Sequence, residues 1–286
     1  MNNRSLLKQL QRLLMPKAKK KSPYLALAVT IAFSLGYYFL NQYESSRPTK
    51  GHASPSYEQV DKPTIKKNTD KSSDATSLLK LKWDGSMSDI AVPVNGNKSN
   101  FTANDLKSKE DYWTIFSKRD SLGRALEANA KLSPTIYREV KQISRPRIPA
   151  GNDPVGWKYD GHSNNRNISF EGEKTALYNR SHLIAWRFIA DAGSMENLVT
   201  GTRAFNTPGM TEYEQKVADI LYYKNYHVRY RVTPIYKGSE LLPRGMQMMA
   251  KSIEDNGKSL DYNVYVFNVQ PGVILDYATG QNSDEK

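Results

Sequence analysis

The sequence predicts an α+β fold, with a mixed or antiparallel central sheet preceded by one N-terminal transmembrane helix. Three observations carry that reading. Residues 24–40 contain no charged side chain and follow the basic cluster Lys17 to Lys21. Several later segments alternate apolar and polar residues, or are rich in β-branched and aromatic side chains, as strands are. Segments with helical spacing lie between them, and proline and glycine mark the loops.

The elements follow in order. With 286 residues the chain is long enough for one sizeable core plus appendages. Residues 1–23 read as a basic N-terminus on the cytoplasmic side, and residues 24–40 as a signal-anchor. A bilayer is crossed by roughly 17–25 apolar residues in a helix, with positive charge kept inside, so residues 44–286 are expected outside the cell membrane. A cleaved signal peptide is the competing reading, because Ala32-Phe33-Ser34 resembles a small-x-small site, and it would make the protein secreted. A buried core helix is the third. Residues 41–77 are rich in Ser, Lys, Asp, Thr and Pro and bury too little apolar surface to order themselves, so they read as a flexible tether.

The folded domain is expected over residues 78–286. Residues 90–94 read as a short strand and residues 112–132 as a helix, from the spacing of Ile115, Phe116, Leu122 and Leu126. Residues 145–167 are loop-like, punctuated by Pro146, Pro149, Gly151, Pro154, Gly156 and Gly161. Residues 176–183 read as a strand and 213–223 as a helix; residues 227–236, 263–269 and 273–277 read as further strands.

Composition narrows the chemistry. The net charge of +12 is concentrated at the start: residues 1–21 hold seven basic and no acidic side chains, residues 22–70 hold five and four, and the remaining 216 carry only +4. The global charge is therefore weak evidence for a polyanionic partner. Cysteine is absent, which excludes disulfides, thiolate nucleophiles and Cys-based zinc sites.

One constellation carries chemistry: Asn179-Arg180-Ser181-His182-Leu183, followed by Asn197, Asn206 and Glu214. Hydrolysing a phosphodiester needs an in-line water, a base to deprotonate it, and positive charge on the oxygens that become negative. His182 can be the base. Arg180, two residues earlier on the same side of a strand, can make a charge-assisted contact to the same phosphate. Asn206 offers a neutral carbonyl to a hard divalent ion, and Glu214 can ligate that ion or orient its waters; this division suits Mg²⁺, with Mn²⁺ as the alternative. Asn197 and Asn206 taken singly are also ordinary turn or cap residues. Arg145, Arg147, Lys158 and Arg166 either line a phosphate groove or are solvated, and Arg203 stands open between groove and packing. Trp157, Tyr159 and Trp186 can stack on bases, although Trp186 fits core packing better. His162 reads as a loop histidine or a substrate contact, His227 as structural and His52 as part of the tether.

These residues resemble the DNA/RNA non-specific endonucleases with a ββα-metal finger, whose motif usually reads Asp-Arg-Gly-His. Asn179-Arg180-Ser181-His182 is closer to the Asn-Arg-Ser-His form of streptococcal DNases, and is similar to that of membrane-anchored DNA-entry nucleases of Gram-positive bacteria. The resemblance extends through residues 196–203, Asn206, residues 213–217 and 227–234, and Asn268-Val269-Gln270-Pro271-Gly272. It implies His182 as general base, Asn206 as principal metal ligand, Glu214 in the metal's shell, Asn197 as a site-organising amide and Arg180 as a phosphate contact. It also implies cleavage of single- or double-stranded DNA, and of RNA, with little sequence preference and 5′-phosphate products. Asn179 departs from the commoner Asp, and Pro208-Gly209 should break the helix between Asn206 and Glu214. DNA-uptake machinery or an inhibitor protein are the partners the resemblance suggests. Two other readings stay open: a secreted toxin nuclease, and a catalytically silent membrane-anchored receptor that binds DNA.

Overall fold

The structure is a computed structural model in which residues 74–285 are described. The basic N-terminus, the segment at 24–40 and residues 41–73 lie outside the described residues. Among the described residues no helix is long and apolar enough to cross a membrane.

A single helical turn, α1 (Ala75–Leu78), is capped by the Asp74 carboxylate. It leads to β1 (Ala91–Pro93), α2 (Ala103–Leu106), β2 (Trp113–Phe116), β3 (Ala128–Leu132) and α3 (Pro134–Lys141). Two small hairpins follow, β4 (Lys158–Tyr159) with β5 (His162–Ser163) and β6 (Asn167–Phe170) with β7 (Glu173–Ala176). Next come β8 (Tyr178–His182), α4 (Trp186–Ile189) and β9 (Leu198–Thr202). A distorted helical segment, Phe205–Met210, runs into α5 (Thr211–Asp219) and the wide helical turn Ile220–Lys224. Three long strands, β10 (Val228–Ile235), β11 (Gly245–Ser252) and β12 (Asp261–Phe267), precede a last hairpin of β13 (Val273–Leu275) and β14 (Asn282–Asp284).

The central sheet has six strands in the order β1-β12-β11-β10-β3-β2, and every pairing in it is antiparallel. Of the two sheet types expected, the antiparallel one is present. Alternation gives it two apolar faces. Val228, Tyr230 and Val232 of β10, Met246 and Met248 of β11, and Val264 and Val266 of β12 face the helices, where Phe188, Phe205, Val217 and Leu221 complete the main core. Tyr265 and Phe267 point the other way, onto Leu78 and Val94.

The helix expected at residues 112–132 is not formed; the segment is the β2–β3 hairpin. The apolar spacing was not one helical face, since Ile115 is 62% exposed while Ala128, Ala130 and Leu132 are fully buried at alternate positions. The connection is closed by Asp120, whose carboxylate accepts from the backbone of Leu122 and Arg124 and from Arg124 Nε, with Gly123 at φ +76°. Pairing with β10 then outweighs local helix propensity. The strand at β1, the strand at β8, the helix at α5 and the strands at β10, β12 and β13 agree with expectation.

Candidate active site

β8 and β9 form a separate antiparallel hairpin, with Arg180 opposite Thr200 and His182 opposite Leu198. The outer edge of β9 is held by side chains that follow β12. Asn268 accepts from Thr202 N–H at 2.9 Å and donates to the Thr200 carbonyl, and Gln270 accepts from Ala204 N–H at 2.9 Å. Gly201 lets Phe205 lie against the hairpin: a Cβ there would meet Ser181 Oγ at 2.4 Å and the Phe205 ring at 2.5 Å. Two strands and the helix that follows thus form a ββα unit packed on the central sheet. Thr207 is extended (φ −142°, ψ 118°), so Asn206 ends one helical segment and Glu214 sits in the first turn of the next, as Pro208-Gly209 led one to expect.

His182, Arg180, Arg145, Asn206 and Glu214 line one cleft of about 440 Å³. His182 is 7% exposed. Arg145 Nη2 lies 3.4 Å from His182 Nδ1. An arginine can only donate, so this contact leaves the lone pair on Nδ1 and the proton on Nε2. Nε2 is buried without a hydrogen-bond partner. Burial, followed by the Arg145 charge, lowers the His182 pKa to about 4; the Asp191 carboxylate and the nearby backbone of Asp191 and Ala192 oppose the shift without reversing it. The imidazole is therefore neutral at pH 7, as a base must be.

Arg180 is held from two sides. Its Nε and Nη2 donate to Asp153 Oδ1 at 3.0 and 2.5 Å, and its guanidinium lies 4.6 Å from the centre of the Trp157 ring. Lys158 Nζ sits 2.9 Å from Asp153 Oδ2. Thr200 Oγ1 donates to the Val155 carbonyl at 2.9 Å and ties this loop to β9. The Nη1 edge of Arg180 keeps its donors for a ligand.

Glu214 is buried, with Arg187 Nη2 3.6 Å from Oε2. Burial raises its pKa to about 7, against the pull of Arg187 and Arg145. Asn206 donates to Thr207 Oγ1 at 3.2 Å, and its side-chain oxygen has no partner among the described residues. Asn179 also lines the cleft, with a buried Nδ2 that lacks a partner. Turning that amide over would present its oxygen instead. Among the described residues no group of three or more His, Asp or Glu side chains could hold a metal ion. The donor set is thus neutral amide oxygens with one carboxylate, which fits a hard divalent ion that keeps several waters.

The remaining expected residues are placed elsewhere. Asn197 is fully buried behind the cleft, accepting from Ile184 N–H at 2.9 Å and donating to the Ile184 carbonyl and Asp191, each at 3.1 Å. It fixes the turn after His182, as an organising amide would. Arg147 is exposed and does not line the cleft, and neither does half-buried Arg203. Arg166 does not line the cleft: its Nε donates to Asn282 at 2.7 Å and its Nη2 pairs with Asp284 in the last hairpin. His227 bridges Glu254 and Asp111 and is structural. Trp157 lines the cleft and carries the Arg180 guanidinium over its ring. Sequence reading missed Asp153, Arg187 and Asp191, single acidic or basic residues in loops and a short helix with no motif to single them out.

A neutral, buried imidazole shares one cleft with Arg145, Arg180, the amides of Asn179 and Asn206 and a buried carboxyl group, a set suited to hydrolysis of phosphate esters. The model of the DNA/RNA non-specific endonuclease family matches residues 103–254, more than half of the chain, and the chain belongs to that family. It is a hydrolase acting on nucleic acids. The structure is similar to NucA from Streptococcus agalactiae, solved with magnesium ion bound, at 26% identity and a TM-score of 0.55 over 68% of this chain and 87% of that one. It is also similar to the Sda1 nuclease, solved with bound zinc ion, at 30% identity and a TM-score of 0.54 over 60% of this chain and 81% of that one.

Proposed function

We propose that the protein is a metal-dependent, sequence-non-specific endonuclease that cleaves DNA, and RNA as well, leaving 5′-phosphates. The observation that carries this reading is that His182, with Arg145 3.4 Å from its Nδ1, lines one cleft with Arg180, Asn206 and Glu214. Asn206 would hold a divalent cation, Mg²⁺ or Mn²⁺, with Asn179 and Glu214 orienting its waters. Such an ion, when bound, neutralises charge on the scissile phosphate and its leaving oxygen. Arg180 presents Nη1 to a phosphate oxygen. Arg145 turns from His182 to the same phosphate, which frees Nδ1 to take the proton of the attacking water. No side chain in this scheme reads a base edge, in keeping with little sequence preference.

We further propose that residues 24–40 anchor the protein in the cell membrane with the nuclease outside, where it would serve DNA uptake or degrade extracellular DNA. Support is the uncharged run after a basic cluster. Plasmid cleavage by the purified full chain tests the activity. Metal-dependent nicking that EDTA, His182→Ala and Asn206→Ala each abolish is the expected result. Binding of DNA by folded protein with no cleavage would move the reading to a silent receptor.

A further inference from the structure

A second feature lies outside the cleft. The wide turn Ile220–Lys224 extends α5 and packs against α3. It carries Tyr222 and Tyr223, which are 46% and 76% exposed, with rings 4.9 Å apart and nearly perpendicular. Wide helical turns of this kind are rare and recur at functional sites. Lys141, the last residue of α3, places Nζ 4.4 Å from the centre of the Tyr222 ring. Lys224 is exposed beside the pair, and Arg138 Nη2 donates to Asn225 at 2.7 Å where the turn ends. The acids on these elements, Glu139, Glu212, Glu214 and Asp219, equal the cations Arg138, Lys141, Lys216 and Lys224 in number, but Glu212 pairs with Lys216 at 3.0 Å, Glu214 lies 3.6 Å from Arg187, and Asp219 accepts from Gln215 at 2.8 Å. Lys141 is the cation seated on the aromatic pair.

Two chain routes connect this patch to the cleft. Lys141 and Arg145 are four residues apart, at most about 14 Å even if the chain is fully extended. Glu214 and Tyr222 are separated by eight helical residues, about 12 Å. A strand of nucleic acid advances about 3.4 Å per nucleotide when stacked, so the patch is a few nucleotides from the cleft.

We propose that Tyr222, Tyr223 and Lys141 form a stacking platform that holds a single strand of the substrate beyond the cleaved bond. This rests on the nuclease reading above and adds a site to it. Every base has a face that stacks on an aromatic ring, so the platform adds affinity without adding sequence preference. Lys141 supplies charge for the phosphate of the stacked nucleotide. A duplex hides those faces within its own stack, so unpaired strands are the occupant.

The test uses the full chain and single-stranded oligonucleotides of about 4 and about 20 nucleotides. Cleavage gives kcat and KM, and fluorescence anisotropy without added metal gives binding. Replacing both residues, Tyr222→Ala with Tyr223→Ala, should raise KM and Kd for the long strand about tenfold. It should leave kcat, and KM for the short strand, unchanged. Replacing both with phenylalanine should restore the parent values. An unchanged long-strand Kd, an equal loss at both lengths, or a change in sedimentation with no change in strand binding would each overturn the platform. Failure of the parent to cleave would instead overturn the nuclease reading, while the anisotropy still decides the platform.

Discussion

At the scale of single residues, charge state is the property that matters most. His182 has its pKa lowered to about 4, so its base form persists well below neutrality. Glu214, raised to about 7, is protonated first as pH falls, so kcat/KM is expected to step down near 7 and again near 4, the lower step being the His182 limb. Arg145→Gln removes one cause of the shift, so the limb should move to higher pH, read from the same profile; a limb that stays in place would show that burial alone sets it. The same shift links to stability. Above the ordinary histidine value of 6.5 neither folded nor unfolded protein binds the proton, and His182 adds no pH dependence there. As pH falls from 6.5 towards 4 the unfolded chain is protonated first, and the fold loses up to about 3 kcal/mol. Chemical denaturation across that window, compared with His182→Ala, measures it. Asp153 is the second residue with a testable part, because it grips Arg180 through Nε and Nη2. Asp153→Asn should raise KM about tenfold in the parent and have little effect in an Arg180→Ala background. Equal effects in both backgrounds would show that Asp153 acts through stability alone.

At the scale of elements, the β8–β9 hairpin depends on the absence of a side chain at Gly201, where a Cβ would collide with Ser181 and Phe205. Gly201→Ala should cost about 1–3 kcal/mol and lower Tm by several degrees, with kcat falling because β8 carries His182. Thermal melts and single-turnover rates check the two effects. Of this hairpin, β8 was legible as a strand and its Asn-Arg-Ser-His motif stood out, whereas β9 and its ties to Asn268 and Gln270 appear only in the fold. Other elements left weaker traces. β11 is buried on both faces, so its Gly245 to Ser252 run shows no alternation to read. α3 carries Ser133 as cap, Pro134 at its first position and an apolar face of Ile136, Tyr137 and Val140, but it is only eight residues long. The β2–β3 hairpin mimicked a helix because its apolar residues fell at mixed spacings across an Asp120 turn. Asp153, which grips Arg180 from a loop, was illegible for a different reason: its partner is remote in sequence and only folding brings the two together.

At the scale of the whole molecule, the net charge of the folded part is small although the substrate is a polyanion. Arg145, Arg180 and Lys141 account for about three phosphate contacts, so log Kd against log salt for a single strand should have a slope near 2. A slope of 5 or more, measured with His182→Ala to prevent cleavage, would show that the basic N-terminus also holds nucleic acid. The central sheet bears on behaviour of another kind. Its edges are β1, three residues ending in Pro93, and β2, four residues, whereas the strands between them run from five to eight. So short a border exposes few unpaired peptide groups, and Pro93 has no N–H to offer. In a crowded solution the central sheet gives a neighbouring chain no ready template for cross-β growth. Fibril formation has to wait until the sheet itself opens and uncovers β11.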